Sequence, residues 1–596
     1  INLSFIMKLS FVTAAATSSM STILITPVSG YDINCLYPDE MPDPTMSIIK
    51  RARNKINTDA RVSETPISIY LSGMMGNCPV GCLSYHDDTM LNPLTMERPS
   101  IVDVPSFGYN TFSRAMCTVQ CYYSLGVSFS RSWPGGSSDA LDEYESLMED
   151  WGLDLWYEDL RDARYADFRL AWDSGNYDDI NAMIVAENYH PFAIGHLVAL
   201  EVESLSKNNN DGWNRDGSHT YGYNEEEDTW GAIPCSTNCA PFSDTTGYKP
   251  IGTTNVQGDK YNVTGLAQRW QPLREQRGVG IGSYVHQVHI TPHIGFTVKP
   301  KLRSLIETEA PTYTDYHEEA LSVVEQLRLT AGNETRKAMV EFYDDKGQVR
   351  SSVIRSITSL GGFDGSLEDT LLLHHGIDLV EHDALLSAWR GKVKYDLVRP
   401  TTVIRQWGND EIDTFGGDFS ETESKVIKAK DFEAVIRVMP HSEYPSGSAS
   451  ICKAYADFAR AYTEGVGLGE PVVKKPWDIP DMEAIGLQCG ESRLWGGMHF
   501  SASIPAGYKI VEGMGKLGYN RMKEIRNGSN FTSKWQKGIG RRRPNNSLCG
   551  QRTDSNNAVM EEKARAAPAE VSSSEQIYLR SSLQVYLMSA LVWFCF

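Results

Sequence analysis

Residues 367 to 400 read LEDTLLLHHGIDLVEHDALLSAWRGKVKYDLVRP. Apolar residues return along it at steps of three and four, the period of a helix with one buried face. The stretch predicts one long helix ending before Pro400, since the residue ahead of a proline is pushed out of helical conformation. Outward from it the same period recurs. YHEEALSVVEQLRLTAG (316–332) and ETRKAMVEFYDDKGQ (334–348) are two helices parted by a glycine–asparagine stop signal. SGSASICKAYADFARAYTEG (446–465) carries Ile451, Tyr455, Phe458 and Tyr462 along one stripe, and a further helix is expected over roughly 500–526. Residues 137 to 206 also read mostly helical, followed from Asn208 by a polar, glycine-rich loop region reaching to about 280. Recurrent strand alternation is scarce, so the fold class is mostly α, a packed bundle architecture with loop-rich insertions and few short strands.

The 596 residues suffice for one large or two medium domains. A net charge of -20 repels polyanions and predicts no nucleic-acid partner. INLSFI precedes Met7, and the small-residue, apolar run after Met7 reads as a secretory signal, so residues 1–30 are set apart as upstream residues plus a signal peptide. Residues 31–300 then form an N-terminal helical and loop-rich region, 301–526 a C-terminal helical region, and 527–582 a polar tail predicted to be disordered. The apolar end, 583–596, is too short to span a bilayer comfortably and looks like a lipid-anchor attachment signal, a possible membrane anchor. Three C-x3-C pairs, Cys78/Cys82, Cys117/Cys121 and Cys235/Cys239, suit disulfides in a secreted chain better than zinc, with connectivity left open. Glycosylation sequons at Asn262, Asn333, Asn527, Asn530 and Asn545 agree with a secreted or cell-surface location.

Three segments concentrate basic, small and histidine residues: RGKVKYDLVRP with Lys392, Lys394 and Arg399, MPHSEYPSGSAS (439–450), and CGESRLWGGMHF with Arg493 and His499. Each alone has an ordinary explanation, a solvated helix end or a common helix start. Together they describe an oxyanion site. Guanidinium forks match the oxygens of a phosphate- or vanadate-like anion, a helix N-terminus supplies free N–H groups, and a serine hydroxyl adds one more donor.

The spacing Lys392-x6-Arg399-Pro400, then Pro445-Ser446-Gly447, then Ser492-Arg493-x5-His499 resembles the signature of the vanadium-dependent haloperoxidases, shared with the acid phosphatase superfamily. In overall length the chain is similar to the algal bromoperoxidases. The resemblance implies two packed four-helix bundles, the second holding vanadate. It implies that Lys392, Arg399 and Arg493 bind the cofactor's equatorial oxygens together with Ser446 and the Gly447 N–H, and that His499 bonds vanadium through a ring nitrogen. Lys392 would also polarise bound hydrogen peroxide, and His441 matches a histidine behind the cofactor in bromoperoxidases, favouring bromide with iodide as runner-up. Halide and a small organic acceptor would be the other substrates, and a homo-oligomer and structural calcium are family expectations, the calcium without a clear loop to hold it.

One position departs from the pattern. The family usually reads P-S-G-H, and here Ser448 stands for the histidine, so a hydroxyl that cannot act as a general acid near neutral pH replaces one that can. A phosphatase of this superfamily also needs an aspartate four residues beyond the histidine that here is His499, and position 503 is serine. Both phosphatase assistants are therefore missing, which favours haloperoxidation over phosphomonoester hydrolysis, with a non-catalytic oxyanion-binding protein as a third reading. Elsewhere His286, His289, His293, His374 and His375 read as core or surface histidines, Asp396 as an ion-pair partner, Trp495 as packing beneath the His499 loop, and Gly496–Gly497 as a tight turn carrying that histidine.

Overall fold

The computed structural model describes residues 316–528 apart from 364, residues 65–99 apart from 88, and shorter stretches between, chiefly 117–125, 191–208, 219–224, 229–234 and most of 268–275 and 294–311. The readings for 1–30, for the tails beyond 528, for Cys235 and Cys239 and for the helical span before 170 lie outside the described residues.

Two helix groups share one long wall. α1 (Thr65–Met75), α2 (Asn77–His86), the helical stretch 117–125 and α3 (Pro191–Asn208) form the first group. The second follows α5 (Tyr316–Ala331) and α6 (Glu334–Asp344), and consists of α7 (Lys346–Thr358), α8 (Leu367–Tyr395), α10 (Gly447–Val466) and α13 (Met514–Asn527). The short helices are α4 (Ile294–Thr297), α9 (Pro400–Arg405) and α12 (Ser503–Lys509), and α11 (Met482–Trp495) lies against α10. α8 packs against α1 and α2 on one side and α10 and α13 on the other. Its burial explains its composition, since residues from Leu371 to Trp389 are nearly all enclosed, including Asp378, Glu381, His382 and Asp383. Such buried polar groups require partners. Asp378 pairs with Arg350, Tyr455 donates to Glu381, and Asp383 accepts the backbone N–H groups of Lys301 and Leu302.

The first group is stapled by Cys78–Cys121 and Cys82–Cys117, which join α2 to the 117–125 helix. Two i,i+4 pairs bonded in crossed order require the helices to run antiparallel. Beside them Glu201 of α3 accepts from Tyr85 Oη at 2.5 Å and Asn92 Nδ2 at 2.7 Å, and His196 Nδ1 lies 2.9 Å from Ser124 Oγ. Burial holds His196 down at about 3 and pushes Glu201 up to about 7, against its two hydrogen bonds.

Several boundaries differ from expectation. α8 stops at Tyr395, four residues short of the residue before Pro400, because Asp396 turns left-handed (φ 49°) and caps the helix while its carboxylate pairs with Arg269. The stretch 334–348 breaks at Asp345, whose side chain caps α7 by accepting from Gln348 N. The helix expected over 500–526 is two, with the chain turning at Gly513 (φ 73°) between α12 and α13. Three two-stranded antiparallel sheets occur among the described residues: β1 (His219–Asn224) with β2 (Thr229–Pro234), β3 (Arg274–Glu275) with β4 (Val285–His286), and β5 (Glu411–Thr414) with β6 (Lys425–Lys428). The first begins inside the stretch read as loop. No helix among the described residues is long and apolar enough to cross a membrane, and no group of three or more His, Cys, Asp or Glu there could hold a metal ion.

Candidate active site

The three basic segments meet where α8 ends, α10 begins and α11 gives way to a turn. Lys392 sits in the last turn of α8, Arg399 just before α9, Ser446 and Gly447 at the start of α10, and Arg493 in the last turn of α11. Met498 and His499 follow the Gly496–Gly497 turn, where Gly497 has φ 76°, a backbone only glycine enters without strain. The 442–446 loop, with a cis Tyr444–Pro445 peptide, lies directly on α8: a Cβ at Gly391 would come within 2.5 Å of Pro445 Cδ, so the close approach depends on that glycine. Ser446 caps α10, its hydroxyl accepting from Ala449 N at 3.3 Å, which leaves the hydroxyl hydrogen to donate elsewhere.

Every basic residue of this cluster is buried. Lys392 is 0 % exposed, Arg399 1 %, Arg493 2 % and His499 4 %. Lys392 Nζ gives its three hydrogens to the carbonyls of Ser442, Glu443 and Pro445 at 2.8, 3.0 and 2.7 Å. Its direct hold on an equatorial oxygen, as expected from sequence, would require one of these bonds to exchange. Arg399 donates to the carbonyls of His441 and Met498, to His441 Nδ1 at 2.9 Å and to His499 Nε2 at 3.3 Å. Arg493 reaches Asp344, the Val340 carbonyl and Ser492 Oγ, contacts that use three of its five N–H groups. His441 thus joins the site through Arg399 and lies against the Trp389 ring, 4.8 Å between centroids. Ser448 is half-buried in a stretch, 441–450, that is otherwise buried.

The electrostatics follow from that crowding. Burial lowers the Lys392 ammonium well below its ordinary value, the Arg399 charge adding to the effect and Glu443 opposing it. Burial brings Arg399 down to about 10 against Glu443. His499 is pushed well below 6.5 by burial and then by Arg399, Lys392, Arg493 and Lys346, so it is a neutral imidazole at ordinary pH. Lys346 was not singled out in the sequence; it opens α7, and burial with the neighbouring Arg493 brings it down to about 7.

A second residue missed in the sequence is Glu443. It is fully buried, its Oε1 lies 2.7 Å from His499 Nδ1 and it accepts the Phe500 N–H at 3.0 Å. Burial pushes its carboxyl up to about 7, opposed by the Ser503 hydroxyl, Arg399, Lys392 and the Phe500 N–H. The signal was present, a carboxylate inside the quoted loop, but its partner lies 56 residues away and only the fold brings them together.

Whether this set suits vanadate can be tested by charge. Lys392, Arg399 and Arg493 place three cations in the interior, and the buried carboxylate among them is Glu443, Asp344 being a third exposed. Uncompensated buried charge is strongly unfavourable, so an oxyanion is the natural complement of these residues and of the α10 N-terminus. The residues fit the group. His286 ends β4, while His289 and His293 lie outside the described residues; His375 is buried and Asp396 pairs with Arg269, as read. Trp495 packs against the hydrophobic core with Arg336 over its ring.

A helical-bundle scaffold with a buried oxyanion cradle is the class these features define. Residues 373–528 match the family model described as the VCPO second helical-bundle domain. The fold is similar to that of an apo-type bacterial vanadium-dependent chloroperoxidase, with a TM-score of 0.57 and 20% identity over 78% of this chain and 94% of that one. A holo-type bacterial vanadium-dependent chloroperoxidase gives 0.54 and 21% over 84% and 97%, and a bacterial vanadium-dependent iodoperoxidase 0.48 and 14% over 81% and 98%. No curated protein sequence matches significantly. The chain therefore has the vanadium haloperoxidase fold, and the resemblance first seen in three motifs extends through the C-terminal bundle.

Proposed function

We propose that the protein is a vanadate-dependent haloperoxidase that uses hydrogen peroxide to oxidise a halide, bromide first and iodide second, to a hypohalous species that halogenates a small organic acceptor. The observation that carries this is the enclosed cluster of Lys392, Arg399 and Arg493 around a neutral His499. Vanadate, when bound, supplies a Lewis acid that activates peroxide without changing oxidation state. His499 would hold it through Nε2, and Arg399, Arg493, Ser446 and the Gly447 N–H would hold its oxygens, each charge-assisted bond contributing roughly 1.5–3 kcal/mol. Lys392 keeps the 442–445 loop in place and adds positive potential. Ser448 donates a hydrogen bond at most, leaving His441, through Nε2, or solvent to move protons.

The three disulfides among the described residues support a secreted or cell-surface location. A homo-oligomer and a lipid-anchored end are further proposals, resting on the resemblance and on the 583–596 run.

One observation favours a second reading. Glu443 gives His499 the orienting carboxylate that a phosphatase requires, although the leaving group would still lack the acid that Ser448 replaces. Metal-free protein assayed with and without orthovanadate, against chloride, bromide, iodide and p-nitrophenyl phosphate, separates the two. Vanadate-dependent bromide oxidation that His499→Ala abolishes is the expected result. Phosphate ester hydrolysis without vanadate would establish the second reading instead.

A further inference from the structure

His499 can serve as a metal ligand only if one ring nitrogen keeps its lone pair toward the site, and its surroundings fix which. Nδ1 is 2.7 Å from Glu443 Oε1, an oxygen that also accepts from Phe500 N. Nε2 is 3.3 Å from Arg399 Nη1, which can only donate. The tautomer that satisfies both partners carries its hydrogen on Nδ1 and its lone pair on Nε2.

The origin of the carboxylate is unexpected. In the phosphatase pattern it comes from four residues beyond the histidine, on the same segment. Here that position is Ser503, fully buried at the start of α12 and beside the Glu443 carboxylate. The Ser503 carbonyl meanwhile accepts the Ser446 N–H at 3.1 Å, tying the two segments together. We infer that Glu443 has taken over the work of that aspartate from a different segment, as the positioning residue that holds His499 in its Nδ1–H tautomer with Nε2 toward the cofactor.

The role of Nε2 rests on the haloperoxidase reading; the tautomer does not. The arrangement makes a demand that ordinary core packing does not, namely that a carboxylate returned at 503 should work in place of the one at 443.

Wild type, Glu443→Gln, Glu443→Ala, Glu443→Ala with Ser503→Asp, and His499→Ala would be compared. Equilibrium dialysis gives the orthovanadate dissociation constant, and long-range 15N–1H spectra of the metal-free protein, assigned to His499 by its absence from His499→Ala, give the ring tautomer. Removing a partner that orients a metal-binding histidine typically weakens affinity 10- to 100-fold. Glu443→Gln, close to isosteric, is expected to keep the Nδ1–H tautomer but, with no charge to raise the basicity of Nε2, to lose affinity in that range. Glu443→Ala should lose at least as much and show mixed tautomers, and Ser503→Asp should restore tenfold or more of its loss. An Nε2–H ring in wild type, Glu443→Gln affinity within threefold of wild type, or no restoration in a folded double variant would each overturn the inference. Should Glu443→Ala fail to fold, Glu443→Gln and the wild-type spectrum carry the test. If His499→Ala binds orthovanadate as tightly as wild type, it is the haloperoxidase reading that fails, whatever the tautomer spectrum shows.

Discussion

At the scale of single residues, charge state governs what the site can do. Ser448 cannot transfer a proton near neutral pH, so Ser448→Ala removes at most one neutral hydrogen bond, about 1 kcal/mol. Less than tenfold should be lost in kcat/KM for halide, read from steady-state rates with orthovanadate saturating; a loss above a hundredfold would show that the hydroxyl does chemistry. His196 illustrates the same logic away from the site. Its folded value of about 3 lies below the ordinary imidazole value of 6.5, so between them the unfolded chain binds more protons and stability falls as pH falls. At pH 5 this amounts to about 2 kcal/mol relative to neutral pH. Glu201, raised to about 7, works oppositely over the same interval, being stabilising below 4.5 and losing that contribution as pH rises through 7. The two nearly cancel, so the whole-protein curve hides the histidine. The stability difference between wild type and His196→Gln, taken from urea midpoints at pH 7 and pH 5, should change by about 2 kcal/mol in favour of the variant at pH 5. Lys392, Arg399, Arg493 and His499 were all legible in the sequence because motif spacing marks them. Glu443 and Lys346 were not, because their meaning depends on partners in other segments.

At the scale of elements, the α10–α11 pair deserves a direct test. Cys452–Cys489 joins them, about a turn from Gly447 on one helix and one turn from Arg493 on the other, and Cys489 Sγ lies 3.4 Å from the Ser448 carbonyl. Closing a loop of 37 residues constrains the unfolded chain by about 4 kcal/mol. The pair Cys452→Ala, Cys489→Ala should lose roughly that in denaturant unfolding and bind orthovanadate more weakly; unchanged affinity would mean the helices hold their spacing without the bond. Helix periodicity announced α5, α8 and α10 in the sequence, yet α11 went unnoticed, since apolar residues on several of its sides give it little contrast. The breaks at Asp345 and Asp396 escaped because capping by a side chain and a left-handed turn leave periodicity on either side intact.

For the whole molecule, the buried cations make stability depend on what fills the cradle. An anion that binds only the folded state adds about 2.7 kcal/mol at one hundred times its dissociation constant. Orthovanadate should therefore raise the thermal midpoint of wild type, and the rise should vanish in Arg399→Ala, as differential scanning calorimetry would show; equal shifts in both proteins would place the anion elsewhere. The two-bundle arrangement was legible only through family resemblance, because nothing in the local sequence of α8 says that both of its sides are covered.

The Lys392 ammonium grips its loop through three main-chain oxygens, and the Ser442 hydroxyl returns a bond to the Lys392 carbonyl. The ammonium's grip on the Glu443 carbonyl is indifferent to the side chain that position 443 carries, whereas Ser442 and Pro445 are tied to α8 by their own contacts. A main-chain grip of this kind lets one position of the loop hold a carboxylate against His499 while the loop's seat on α8 stays the same.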